Sequence, residues 1–228
     1  MNPADQIFEA QEVAIVISVK NQNPAVLSVD FLKYSGIVPD DWQPTKAPII
    51  SNNMSQVSFQ SGVSLIAEVD KVIFAEAIGA KDTSQVKVAQ IARKYIETLP
   101  NIDYLTVSIN PRGHVVCENG TDAASNYLVG TLLYPGDWQK FGIAPVRTAI
   151  QFTYTLERCK MNLTLNEAGL RLSETKNVPI VLFSGNFNYD LAGNTLVSRR
   201  ANLLQVIENW QVDLKTYIEI VNAILVKQ

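Results

Sequence analysis

The chain has 228 residues, of which 47% are hydrophobic and 18% are charged. This composition allows a sizeable hydrophobic core and excludes disordered, collagen-like and low-complexity proteins. The 19 basic and 22 acidic residues give a net charge of −3. Such a balance carries no electrostatic signal for nucleic acid or for an anionic membrane, so we expect neither as a partner.

Residues that commonly carry chemistry are scarce. The sequence has two widely spaced cysteines, Cys117 and Cys159, and one histidine, His114. The cysteines favour a reducing compartment, and the lack of a signal-like or membrane-spanning segment predicts a cytoplasmic protein. A histidine-rich metal site is excluded within one chain, and the motifs of nucleotide, esterase and zinc chemistry are missing. We therefore predict no cofactor, no metal ion and no catalytic residue, and we favour a protein that is not an enzyme.

Strand patterns dominate the beginning of the chain. Apolar residues occupy every second position over residues 13–20, which predicts a β-strand. The same alternation over residues 55–77 predicts an antiparallel β-meander. Its first turn contains Ser61 and Gly62, because glycine supplies the positive φ that a tight hairpin needs.

A helix is predicted after this meander. Asp82 and Gln85 have the spacing of a capping box, which places the start of the helix at Asp82. Apolar residues then repeat at helical spacing from Val88 to Leu99, and Pro100 ends the helix.

Extended segments return in the second half. Alternation over residues 105–109 predicts a strand, which we expect to run into a turn at Asn110 and Pro111. Further extended segments are predicted at residues 150–157, 161–166 and 179–191, with a turn at residues 167–169.

The most regular apolar pattern lies at the C-terminal end, where we predict one long helix from about Ser198 to Val226. Its apolar residues repeat at heptad spacing: Leu203, Ile207, Trp210, Leu214, Tyr217, Val221 and Ile224. Such a helix would be about 42 Å long, which is more than one short-stranded sheet covers. Part of its apolar stripe would then contact a second chain; the alternative is that the sheets of both halves of the protein cover it.

A repeated motif suggests that the chain is duplicated. Residues 39–43 and 135–139 share the pattern P-x-D-W-Q, and each copy precedes a β-meander. The predicted fold is therefore α+β and internally duplicated, each repeat an antiparallel β-meander packed on a helix, with a long C-terminal helix. The repeats would span residues 1–102 and 103–228, as two domains or as one compact pseudo-symmetric unit, with a loop at 118–127 between them. Two unrelated aromatic turns are the alternative.

Several side chains are candidates for function. Asp41 and Asp137, at matched positions of the motif, could form an acid pair or hold a divalent ion; local capping of their own turns is the alternative. His114 and Cys117 would lie on opposite faces of a strand, which argues against a shared metal ion. Large apolar residues of the motif and of the C-terminal helix are the candidate partner-binding residues: Trp42, Trp138, Trp210, Leu214, Tyr217 and Val221. The two motif tryptophans could equally fill the core of their repeats.

We expect a non-enzymatic module that binds a protein partner or forms a homodimer, through the C-terminal helix or an exposed sheet edge. One alternative is a binder of small apolar ligands, with a pocket between the sheet and the C-terminal helix. Its walls would be Trp210, Tyr217, Phe152 and Tyr154. A second alternative is an enzyme that uses Asp41 and Asp137 with a metal ion, or His114 as a base.

Overall fold

The computed structural model describes residues 8–20, 22–79, 81–117, 120, 122–134, 136–144, 146–173 and 176–225. These residues form a mixed α+β fold with one nine-stranded sheet in which all neighbouring strands are antiparallel. The predicted α+β class and the antiparallel arrangement are confirmed. No helix in this part of the chain has the length and apolar character needed to cross a membrane.

The strands are β1 Ala10–Lys20, β2 Ile49–Ile50, β3 Met54–Ser58, β4 Val63–Glu68, β5 Lys71–Ala77, β6 Asp103–Val116, β7 Ala149–Thr155, β8 Lys160–Arg171 and β9 Asn177–Asp190. Their order across the sheet is β2-β3-β4-β5-β1-β6-β9-β8-β7. The central strand β1 therefore lies between β5 and β6, where Ile15 faces Phe74 on one side and Ile109 on the other.

The α-helices of the described residues are α1 Val29–Tyr34, α2 Val88–Thr98, α3 Ala123–Tyr127, α4 Leu196–Glu208 and α5 Trp210–Leu225. Short 3-10 turns lie at Pro24–Val26, Thr83–Gln85 and Asp137–Lys140, and a π-helical turn lies at Leu128–Leu132. Helices α2, α4 and α5 pack on the middle of the sheet, and α3 packs on β8 and β9. Buried and partly exposed residues alternate along the strands, so the helices cover the apolar face of the sheet.

The first predicted strand and hairpin are confirmed. Strand β1 contains the predicted residues 13–20, and β3 and β4 are joined at Ser61 and Gly62. Gly62 has φ +87°, a conformation that residues with a Cβ rarely adopt.

Helix α2 begins later than the sequence predicts. The capping box of Asp82 and Gln85 forms, but it closes the 3-10 turn Thr83–Gln85. Helix α2 itself starts at Val88, and the backbone N–H groups of Lys87 and Val88 each donate to the Glu76 carboxylate at 2.7 Å. A carboxylate from β5 therefore satisfies the first amides of α2, and a helix start at Asp82 is wrong.

Two predicted turns are strand interiors. Strand β6 continues through Pro111 to Val116, because the β6–β9 ladder is interrupted there and needs no N–H from a proline. Strand β8 continues through residues 167–169 to Arg171. A Cβ at Gly169 would lie 2.4 Å from the side-chain amide of Asn177, so glycine leaves room for that side chain. The proline therefore stands where the ladder is interrupted, and the glycine stands beside a close side chain; neither marks a turn.

Two further expectations also differ from the structure. Within the predicted loop 118–127, residues 123–127 form α3, which is helical because Ala124 and Tyr127 are buried against the core; Glu118, Asn119 and Thr121 lie outside the described residues. The single C-terminal helix is divided into α4 and α5 at Asn209. Asn209 leaves the helical conformation, with φ −92° and ψ 10°, and its side-chain amide donates to Gln205 O at 3.0 Å.

Candidate functional site

The heptad residues of the C-terminal helices are buried within the chain, except Ile224, which is partly buried. Trp210, Leu214, Tyr217 and Val221 all belong to the hydrophobic core. The Tyr217 hydroxyl donates to the carbonyl of Phe183 on β9 at 2.9 Å. These four side chains pack α5 against the sheet in the single chain. Their predicted role in partner binding stays a prediction.

The first motif tryptophan is docked on its own chain. Trp42 is half-buried and packs against Phe59, with 5.4 Å between the ring centroids. It also lines a cavity of about 290 Å³, whose other walls include Ile91 and Lys94 of α2. Ile37 and Val38, just before the motif, are fully buried and anchor this loop.

The second motif lies in a loop whose large apolar side chains are exposed. We call residues 133–148 the apolar loop; Pro135 and Pro145 lie outside the described residues. Trp138 is 43% exposed, Phe141 is 77% exposed, Tyr134 is 91% exposed and Ile143 is fully exposed. Single exposed apolar residues are ordinary, but several on one segment make that segment a candidate interaction surface.

Polar contacts hold the apolar loop without covering it. Lys140 Nζ lies 2.6 Å from the Asp137 carboxylate. At the far end of the loop, the Ser125 hydroxyl donates to the carbonyl of Val146 at 3.0 Å. Arg147 pairs with Glu167 of β8 at 2.9 Å. The loop is thus fixed at its base, while its apolar side chains remain in solvent.

The apolar loop leads directly into an open sheet edge. Strand β7 is the last strand of the sheet in the described part of the chain and pairs only with β8. Its seven residues, AIQFTYT, include no charge and no proline. Ile150, Phe152 and Tyr154 are half-buried on the helix-covered face, and the alternate residues are exposed. Charge and proline are the usual devices that keep an edge from pairing.

The unpaired backbone groups of β7 can be assigned from its ladder. Leu156 N donates to Cys159 O at 2.9 Å, which marks these residues as a hydrogen-bonded pair. Because such pairs alternate with non-hydrogen-bonded pairs, Ile150, Phe152 and Tyr154 bond to β8. The residues whose backbone groups point away from the sheet are therefore Ala149, Gln151, Thr153 and Thr155.

The opposite edge of the sheet differs. Strand β2 has two residues, Ile49 and Ile50, and Pro48 precedes it. A short strand beside a proline offers a partner little backbone to bond. Of the two edges, β7 is the one suited to accept another strand.

A buried carboxylate fastens the β7–β8 turn to α5. Asp213 is buried, and Arg158 of the turn donates to it from Nε at 2.8 Å. The Tyr189 hydroxyl of β9 donates to the same carboxylate at 2.8 Å. Arg158 also bonds to the Thr216 hydroxyl at 3.1 Å. Beside this cluster is an open cleft of about 480 Å³, lined in part by Cys159.

The environment of Asp213 predicts how its contribution to the free energy of unfolding changes with pH. Burial raises its pKa above the ordinary 3.8, although the bonds from Arg158 and Tyr189 act in the opposite direction. The folded chain therefore binds more protons at this site than the unfolded chain, and the stability contribution of the site falls as pH rises through the window above 3.8. Urea unfolding of the wild type and of Asp213→Asn, from about pH 4 to pH 7, checks this. The stability of the wild type relative to the variant should fall with pH; a rise would contradict the prediction.

The other candidate residues have the following local surroundings, and their predicted roles stay predictions. The Asp137 carboxylate binds Lys140, and Asp41 is exposed in the first motif. Burial lowers the pKa of His114 and raises the pKa of the Cys117 thiol. Among the residues that the structure describes, no three His, Cys, Asp or Glu side chains are grouped so as to hold a metal ion.

Sequence reasoning missed Tyr134, Phe141 and Ile143. A usable signal was present, because these large apolar residues follow neither a helical nor a strand period and are interspersed with glycine and proline.

Comparison of the chain with protein-family models finds no match, and comparison with curated proteins finds none either.

Proposed function

We propose that the protein is a non-enzymatic interaction module, whose protein partner binds the apolar loop and the edge of β7. The observation that carries the proposal is the exposure of Tyr134, Trp138, Phe141 and Ile143 on one loop beside an uncharged open edge. The loop offers apolar and aromatic area of the kind found in binding hot spots. The edge offers backbone hydrogen bonds to an added strand.

We also propose that the chain arose by duplication, with repeats at residues 1–102 and 103–228. In each half a long strand is followed by an antiparallel meander and a helix, the meander having four strands in the first half (β2 to β5) and three in the second (β7 to β9). The last meander strand pairs with the long strand: β5 with β1, and β9 with β6. On this view Trp42 and Trp138 are equivalent residues. The first is docked against Phe59 and the second is exposed, which supports a partner-binding role for the second motif.

The proposal places the protein in the cytoplasm. Cys117 and Cys159 are both free, as is usual for proteins of a reducing compartment. No step of the proposed function needs a cofactor or a metal ion.

Photo-cross-linking tests the proposed surface. A benzoylphenylalanine at Phe141, incorporated in the cells that make the protein, should yield discrete protein adducts on illumination. The matched control is Tyr34, which is 92% exposed but lies in a cleft with the charged residues Asp30, Lys33 and Asp40. Adducts at position 141 and not at 34 support the proposal. No adduct at 141, or equal adducts at both positions, would contradict it.

A further inference from the structure

We infer that the partner is a second copy of this chain, and that the two copies pair β7 with β7 in an antiparallel register centred on Phe152. The inference rests on the proposed function, because it names the partner of the same surface. Paired in this way, the two sheets would form one continuous sheet about a twofold axis.

The backbone of β7 is self-complementary in this register. A twofold axis at Phe152 places Ala149 opposite Thr155 of the second copy, and Gln151 opposite Thr153. These four are the residues whose backbone groups point away from the sheet. Each such pair exchanges two hydrogen bonds, so every outward N–H and C=O of β7 has a partner. A register shifted by one residue would instead set outward groups against groups already bonded to β8.

The side chains are compatible with the same register. On the helix-covered face Phe152 meets Phe152, and Ile150 faces Tyr154. All three are half-buried in the single chain, so pairing removes further apolar area from water. On the other face the uncharged Gln151 and Thr153 stand opposite each other, and no like charges meet.

Charge complementarity at the ends of the strand supports a second copy as the occupant. Arg147 lies two residues before β7 and Glu157 lies in the turn that follows β7, so the antiparallel pairing brings Arg147 of one copy near Glu157 of the other. Both are exposed and of opposite sign. Arg147 already binds Glu167 at 2.9 Å, and a guanidinium has enough N–H donors for both carboxylates.

The register also gives the apolar loop something to contact. Ala149 begins β7 and lies opposite Thr155, which ends β7 in the second copy. The apolar loop, which ends at Thr148, therefore arrives beside the β7–β8 turn of the second copy, where Leu156 is half-buried. The pairing of the open edge thus also brings the end of the apolar loop to the second copy.

Two double variants test the register. Gln151→Lys with Thr153→Lys places lysine opposite lysine twice across the twofold axis. Gln151→Glu with Thr153→Lys places glutamate opposite lysine twice. Each variant removes the bond from Thr153 Oγ1 to Asn162 Oδ1, and each places two charged residues on the edge. Within a single chain the two variants therefore differ only in the residue at position 151. Like charges directly opposite each other destabilise antiparallel pairs, and opposite charges do not.

Sedimentation equilibrium measures the dimer dissociation constant of each form. We expect the wild type to dimerise from its 25.2 kDa monomer, and the Lys/Lys variant to weaken dimerisation about tenfold or more. The Glu/Lys variant should remain within about threefold of the wild type. Equal weakening by both variants, or a wild type that stays monomeric at every concentration, overturns the inference.

A cysteine trap gives an independent measurement. In a Cys159→Ser background, Phe152→Cys should form a disulfide-linked dimer on mild oxidation. Residues on the axis form a non-hydrogen-bonded pair with about 4.5 Å between Cα atoms, which suits a disulfide. Ile150→Cys is the control, because it faces Tyr154 and not its own copy. Cross-linking at position 150 instead of 152 overturns the register.

The mass of the photo-adduct separates the two proposals. An adduct at position 141 with twice the chain mass supports the second copy. An adduct of any other mass overturns the second copy as the partner while leaving the proposed interaction surface in place.

Discussion

Replacement of Glu76 by alanine is expected to lower the free energy of unfolding by about 3 kcal/mol, the largest effect of any single substitution discussed for this protein. The Glu76 side chain is 1% exposed. Its carboxylate accepts the backbone N–H groups of Lys87 and Val88 at 2.7 Å and binds Lys81 Nζ at 2.8 Å. Alanine would leave the first amides of α2 without their acceptor, and would leave Lys81 Nζ with only the Ser61 carbonyl at 3.0 Å.

Urea unfolding followed by circular dichroism measures this loss. Glu68→Ala is the control, because Glu68 pairs with Lys71 at 3.0 Å on the surface with about a third of its side chain exposed. Exposed pairs of this kind contribute little, so a change below about 0.5 kcal/mol is expected. Similar losses in both variants would show that the Glu76 carboxylate does not hold the start of α2.

The start of α2 shows what a local pattern can and cannot predict. The capping box at Asp82 and Gln85 forms as its spacing indicates, since both partners lie within one turn. The acceptor that sets the first residue of α2 comes from β5, and its pairing with Val88 depends on how the strand and the helix pack. No spacing within the helix reveals such a partner.

For the strands, too, the local pattern was predictable and the contacts with neighbouring strands were not. Alternation predicted β1 and the β3–β4 hairpin, because one face of each strand is buried and the other is partly exposed. Pro111 and Gly169 were misinterpreted as turn residues. Their positions are decided by an interrupted ladder and by the Asn177 side chain, and both are properties of neighbouring strands.

Only part of the candidate site could be predicted from the sequence. The P-x-D-W-Q pattern led to both Trp42 and Trp138, but it contains nothing that distinguishes a docked copy from an exposed one. The difference comes from the residues before the motif. Ile37 and Val38 are fully buried and hold the first loop on its own chain, whereas Tyr134 is 91% exposed in the second.

Replacement of Asp213 by alanine has the second largest expected effect, a loss of about 2 kcal/mol at neutral pH. Arg158 and Tyr189 both donate to this carboxylate. Alanine would remove this acceptor from both and leave Arg158 with only its bond to the Thr216 hydroxyl. The loss is smaller than for a fully buried pair because about a third of the Arg158 side chain is exposed.

The same substitution tests whether the contact with α5 keeps the β7 edge of the sheet ordered. Asp213 connects α5 to the turn between β7 and β8, so without it the amides of that turn should exchange with deuterium faster than those of β1. Lys215→Ala is the matched control on α5, because Lys215 lies 3.9 Å from Glu219 and both are largely exposed. It should change neither stability nor exchange. A loss of stability with unchanged exchange at the β7–β8 turn would mean that Asp213 stabilises the core without organising the edge. Faster exchange there would show that the buried Asp213 carboxylate keeps the end of β7 ordered. The proposed pairing depends on this order. A partner strand that binds an ordered β7 avoids the entropic cost of ordering it on binding.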